Sequence, residues 1–69
     1  MEYRLYEKNN LSDAVATKGC ADEFAAETWA REWASVHGAA GDYLIQRDGG
    51  GYAASLFRTI GGQWYVMRA

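Results

Sequence analysis

Polar and apolar residues alternate at the start of the chain. Across residues 2–8, Tyr3 and Leu5 fall on one side and Arg4, Tyr6 and Lys8 on the other. A period of two predicts a strand with one buried face. Asn9-Asn10 supplies turn chemistry, because asparagine tolerates a left-handed backbone. Residues 11–19 are less regular, and a short extended segment around residues 14–17 is expected there in preference to a helical turn after Ser12.

From residue 20 the period becomes helical. At 100° per residue, Ala25, Ala26, Trp29, Trp33 and Val36 form one stripe, with Glu23, Glu27, Arg31 and Ala34 opposite. Cys20 and Glu23 have the spacing of a capping box, with cysteine in the usual place of serine. Asp22 and Glu23 suit the positive end of the helix dipole. Glu27 and Arg31 make a favourable i,i+4 pair. Gly38 then reads as a left-handed terminator, so the helix is predicted over residues 20–37. Phe24 breaks the pattern by falling on the polar side.

Strands are predicted over residues 42–47, 52–60 and 63–68, separated by Asp48-Gly49-Gly50-Gly51 and by Gly61-Gly62. The expected architecture is α+β: one amphipathic helix packed on an antiparallel sheet of about four strands, in a single domain over residues 1–69. With Gly61-Gly62 as a two-residue turn, Leu56 pairs with Met67 and Phe57 with Val66. With the three glycines as the preceding loop, Tyr43 and Ile45 join Phe57, Trp64 and Val66 on one face. Leu44 joins Leu56, Arg58, Tyr65 and Met67 on the other. A one-residue change in that loop swaps these assignments, since strand side chains have period two.

One helix cannot shelter two partly apolar faces. Trp29, Trp33 and Val36 are expected over the first face, which leaves Leu44, Leu56, Arg58, Tyr65 and Met67 as candidate partner-binding residues. Tyrosine, methionine and arginine are enriched in protein interfaces. A second candidate surface is the outer side of the helix, where Glu23 and Glu27 rim the exposed Phe24. An acidic rim around an aromatic anchor suits a basic protein surface.

Composition narrows the function classes. At 69 residues the chain is near the lower limit for a self-sufficient core, and 49% apolar residues fit a folded globule. The net charge of −2 is divided unevenly: residues 1–36 hold seven acids against four bases, residues 37–69 two against three. Arg47, Arg58 and Arg68 with Tyr52, Trp64 and Tyr65 offer a conceivable stacking platform for nucleic acid, but the acidic balance argues against it. Cys20 and His37 bracket the helix about 25 Å apart, too far for thiolate–imidazole chemistry. One cysteine and one histidine cannot build a zinc site, and the triple glycine lacks the lysine and the following helix of a phosphate loop. No catalytic residue, metal or cofactor is therefore expected.

No apolar run approaches the roughly 20 residues of a membrane span. The N-terminus lacks the apolar core of a signal peptide, and a lone cysteine suits a reducing compartment, so a cytoplasmic location is expected. The layout of a very small, mildly acidic chain with a strand, a helix and a meander resembles small phage-encoded inhibitors, notably anti-CRISPR proteins. That resemblance implies a non-enzymatic inhibitor that blocks a host protein or nucleoprotein complex by occupying a surface. The alternatives are a homodimer or larger homo-oligomer packing sheet faces together, around a small ligand or without one, and a sheet-based nucleic-acid binder.

Overall fold

The computed structural model describes residues 1–38 and 41–68. Its elements are β1 (Glu2–Glu7), β2 (Ala16–Gly19), α1 (Glu23–His37), β3 (Tyr43–Arg47), β4 (Ala53–Arg58) and β5 (Trp64–Arg68). The strands form one sheet in the order β2-β1-β3-β4-β5, with every neighbouring pair antiparallel. The α+β architecture is the expected one, with five strands in place of about four. The extra strand is β2, which overlaps the short extended segment expected around residues 14–17 and lies two residues later. It hairpins back onto β1, pairing Glu2 with Gly19 and Leu5 with Ala16.

Helix α1 begins later than predicted. Its cap is Asp22, in extended backbone, whose carboxylate accepts from the Ala25 amide at 2.9 Å. A carboxylate is a far better acceptor for an orphan amide than a thiol, and it also suits the helix dipole. Cys20 instead lies buried before the helix, its thiol 3.9 Å from the Lys18 carbonyl oxygen. At the other end Gly38 has φ −69°, not the left-handed backbone expected. Glycine is needed there for space: a Cβ would run into the Ala34 carbonyl and the Trp64 ring.

The buried stripe of α1 is also rotated from the predicted one. Ala26, Glu27, Ala30 and Ala34 face the sheet, while Trp29 and Trp33 are half-buried and Val36 is 76% exposed. Small alanines let the helix axis approach the sheet, and the bulky indoles pack beside that line of contact. Beneath lie Tyr3, Leu5, Tyr43, Ile45, Ala54 and Leu56, all buried. Trp33 meets Tyr43 edge-on at 5.7 Å between ring centroids, and Tyr43 meets Trp64 at the same distance. Burial of each large aliphatic side chain in this layer contributes about 1.5–3 kcal/mol.

The loop after β3 is the expected Asp48-Gly49-Gly50-Gly51, one residue more than the three-glycine loop on which the expected register was built, and the loop after β4 is one residue longer than the expected Gly61-Gly62 turn. Arg47 donates its amide to the Tyr52 carbonyl, so all of Asp48-Gly49-Gly50-Gly51 is loop. The second hairpin closes at Thr59 and Gln63, with Ile60, Gly61 and Gly62 as its loop and Gly62 at φ +85°. Such three-residue loops pair a type I turn with a left-handed residue, which glycine adopts without a steric cost. The register accordingly sets Leu56 against Tyr43 on one side and against Val66 on the other. Strand β4 is turned over relative to the prediction, and Leu56 is fully buried under the helix.

Candidate functional site: the uncovered sheet face

The face away from α1 is assembled by register. One row runs Tyr6, Leu44, Ser55, Met67 across β1, β3, β4 and β5, and Phe57 stands opposite Tyr65 in the next row. Phe57 is also diagonal to Leu44, within reach of an aromatic side chain. Tyr6, Leu44, Phe57, Tyr65 and Met67 thus make a contiguous apolar patch. Tyr65 is 48% and Met67 63% exposed, with the other three half-buried. The Phe57 and Tyr65 rings lie 6.4 Å apart, tilted by 34°. Tyr65 is steadied by its hydroxyl, which donates to Gln63 Oε1 at 2.9 Å.

Charge frames one end of this patch. Arg4, one row further on, places its guanidinium 3.3 Å from Glu2 and 3.5 Å from Asp48. These pairs are solvent-exposed, so they set local polarity more than stability. The face grades from a neutralised charge cluster beside the glycine loop to open aromatic and thioether surface at β5.

Of the residues predicted to bind a partner, Leu44, Tyr65 and Met67 come together on this face. Leu56 and Arg58 do not. Leu56 is core, and Arg58 points to the helix side, its guanidinium 6.0 Å from the centre of the Trp64 ring. The four-residue loop before β4 and the three-residue loop after it place both on the covered side. Phe57, assigned to the covered side, takes the position expected of Leu56. Tyr6 completes the patch; its place opposite Tyr3 and Leu5 was evident in the alternation, although its neighbours were not.

The second candidate surface is reduced. Phe24 is 70% exposed on the outer side of α1, with Glu23 half-buried near it. Glu27, however, faces the sheet and is only 9% exposed. Its Oε2 accepts from the Tyr52 hydroxyl at 2.6 Å and from Arg68 Nε at 2.7 Å. Burial is the largest influence on this carboxyl and pushes its pKa up. The two hydrogen bonds, with the positive charges of Arg68 and Arg31, outweigh burial and hold it below the ordinary range. The same pairing leaves the Tyr52 hydroxyl harder to ionise, through burial first and the Glu27 contact second. Arg68 also lies 5.8 Å from the centre of the Tyr52 ring. This cluster fastens the end of β5 to the helix, and Glu27 has no freedom to meet a partner.

The arginines and aromatics of a conceivable nucleic-acid platform do not share a face. Tyr52, Arg58, Trp64 and Arg68 lie on the helix side and Tyr65 on the open side, while Arg47 donates to the Gly50 carbonyl at 2.9 Å. Cys20 precedes α1 and His37 closes it, its ring 5.3 Å from that of Trp33. Among the described residues no three of histidine, cysteine, aspartate and glutamate gather as metal ligands, and no helix is long and apolar enough to cross a membrane. No protein-family model, curated protein or solved structure matches the chain.

Proposed function

We propose that the protein is a small, non-catalytic protein-binding module that acts by occupying a partner's surface with its open sheet face, in the manner of a mobile-element inhibitor of the anti-CRISPR type working in the cytoplasm. One observation carries the reading: five large side chains, Tyr6, Leu44, Phe57, Tyr65 and Met67, are contiguous on the face opposite α1. Exposed apolar clusters with a polar rim mark interaction sites on small domains. The rigid platform of five strands supports it further, since side chains held by a sheet lose little freedom on binding. A partner for this face presents an apolar ridge flanked by polar groups, because Arg4 is already neutralised and offers no unpaired charge to an acidic target.

The test separates binding from folding. Tyr65→Ala and Met67→Ala are expected to leave the melting temperature almost unchanged, because neither side chain belongs to the buried core. Each is expected to weaken capture of the partner at least tenfold in titrations with the purified partner, consistent with truncation of a central contact. Phe24→Ala, on the far side of the molecule, should bind like the wild type. Equal binding by all three variants would remove the open face as the contact. A large loss of stability in the first two would show them to be core residues.

A further inference from the structure

The two edges of the sheet differ. The β2 edge is only four residues long and carries exposed Lys18 and Gly19. A short strand with a lysine is the usual protection against pairing with another chain. Strand β5, with the sequence WYVMR, is longer, and its one charged side chain, Arg68, is held back onto Glu27 of α1. It holds five consecutive register pairs with β4 without a bulge, and it contains neither proline nor lysine.

Hydrogen-bond direction fixes what this edge offers. Thr59 donates its amide to the Gln63 carbonyl at 2.9 Å, which makes that pair a closely bonded one. Antiparallel ladders alternate, so the amides and carbonyls of Tyr65 and Met67 point to β4. Those of Trp64, Val66 and Arg68 therefore point outward. Such groups bond to water or can take a further strand.

We infer that β5 is a self-pairing edge, joining two copies of this chain antiparallel about a two-fold axis at Val66. In that register Val66 opposes Val66 of the second copy, and Trp64 opposes Arg68 in both directions. Every outward amide and carbonyl of β5 is then paired. The strand is complementary to itself in side chains as well. Arginine stands opposite tryptophan and not opposite another arginine, so like charges do not face each other across the pair. On the open face Tyr65 meets Met67 of the other copy, a sulfur–aromatic contact. An axis at Tyr65 would instead set Arg68 against the Gly62 loop and leave its outward groups unused. The isologous pairing leads to a single sheet of ten strands, whose two apolar patches merge at the axis. This pairing uses backbone groups and stands whether or not the open face binds a foreign protein.

The experiment compares the wild type with a chemically synthesised chain bearing an N-methyl group on the Val66 amide, and with Val66→Pro. Neither change removes a bond inside one copy, because that amide points away from β4, and proline is tolerated at such edge positions. Sedimentation equilibrium should show the wild type rising to twice the monomer mass with concentration, and both modified chains remaining at monomer mass with a folded circular-dichroism spectrum. Amide exchange at Trp64, Val66 and Arg68 should slow with wild-type concentration, while Tyr65 and Met67 stay protected throughout. A wild type that remains monomeric to its solubility limit overturns the inference, as does a dimer that survives N-methylation. Should both modified chains lose their fold, the wild-type exchange decides: rates at Val66 independent of concentration reject the edge pairing.

Discussion

Replacing Leu56 by alanine is expected to lower the unfolding free energy by about 2–5 kcal/mol, whereas Phe57→Ala should cost less than half as much despite deleting the larger side chain. Leu56 is fully buried between Tyr43 and Val66 beneath α1, and its truncation opens a cavity that a sheet pinned on both sides cannot collapse. Phe57 is half-buried on the open face, where the removed ring is replaced by water. Urea unfolding followed by tryptophan fluorescence measures both, with an unchanged m-value showing that the native state and not the denatured ensemble is affected. In a chain of this size a loss at the upper end is enough to unfold it. The reverse order of effects would mean that β4 presents its other side to the helix, and the proposed contact face would have to be redrawn around Leu56.

That comparison bears on what was legible in the sequence. The helix, its place between strands and the closing meander follow from periodicity alone. So does the division of β3 and β5, because Tyr43, Ile45, Trp64 and Val66 do share the covered face and Leu44, Tyr65 and Met67 the open one. Only β4 is inverted. A register built on a three-glycine loop and a two-residue turn is one residue short at each, and the two differences cancel between β3 and β5 while turning over the strand between them. Glycine runs cause this ambiguity: Gly49, Gly50, Gly51 and Gly62 all adopt positive φ, so composition does not say where the ladder stops. The β4 sequence cannot arbitrate, since Leu56 and Phe57 are adjacent and equally fit to be buried.

The helix shows a different limit. Hydropathy placed Trp29, Trp33 and Val36 inward and Glu27 outward, yet the inner line is Ala26, Glu27, Ala30 and Ala34. Volume decided this, since a helix lies close to a sheet through its small residues. The inward turn of Glu27 depends on partners 25 and 41 residues away, Tyr52 and Arg68. No local pattern announces such a contact. The open face was visible as a surplus of apolar strand residues, but its membership needed the register.

Glu27 provides the second large effect, and it is one of pH. Its folded pKa lies below the ordinary value, so the folded state holds the carboxylate more tightly than the unfolded chain does. The stability this adds is fully present above the unfolded glutamate pKa of about 4.3 and is lost as pH falls through the folded value. Glu27→Gln keeps the shape but removes the charge. It is expected to cost about 1.5–3 kcal/mol near neutral pH, the range for hydrogen bonds to a charged group, and to match the wild type in acid. The difference between the two stability curves isolates this carboxyl from the eight other acidic side chains. Tyr52→Phe removes one donor and leaves the burial, so the acid limb should move to higher pH. In the alkaline range the sign reverses. The Tyr52 pKa is raised by folding, so stability falls as pH climbs past the unfolded tyrosine value of about 10, and Tyr52→Phe should lack that decline. Superimposable curves for all three proteins would show that the cluster stores no charge-dependent stability. Because Arg68 ends the strand that carries Tyr65 and Met67, acid that protonates Glu27 loosens β5 at its attachment to α1, and the open face should lose order before the β1–β3 side of the sheet does.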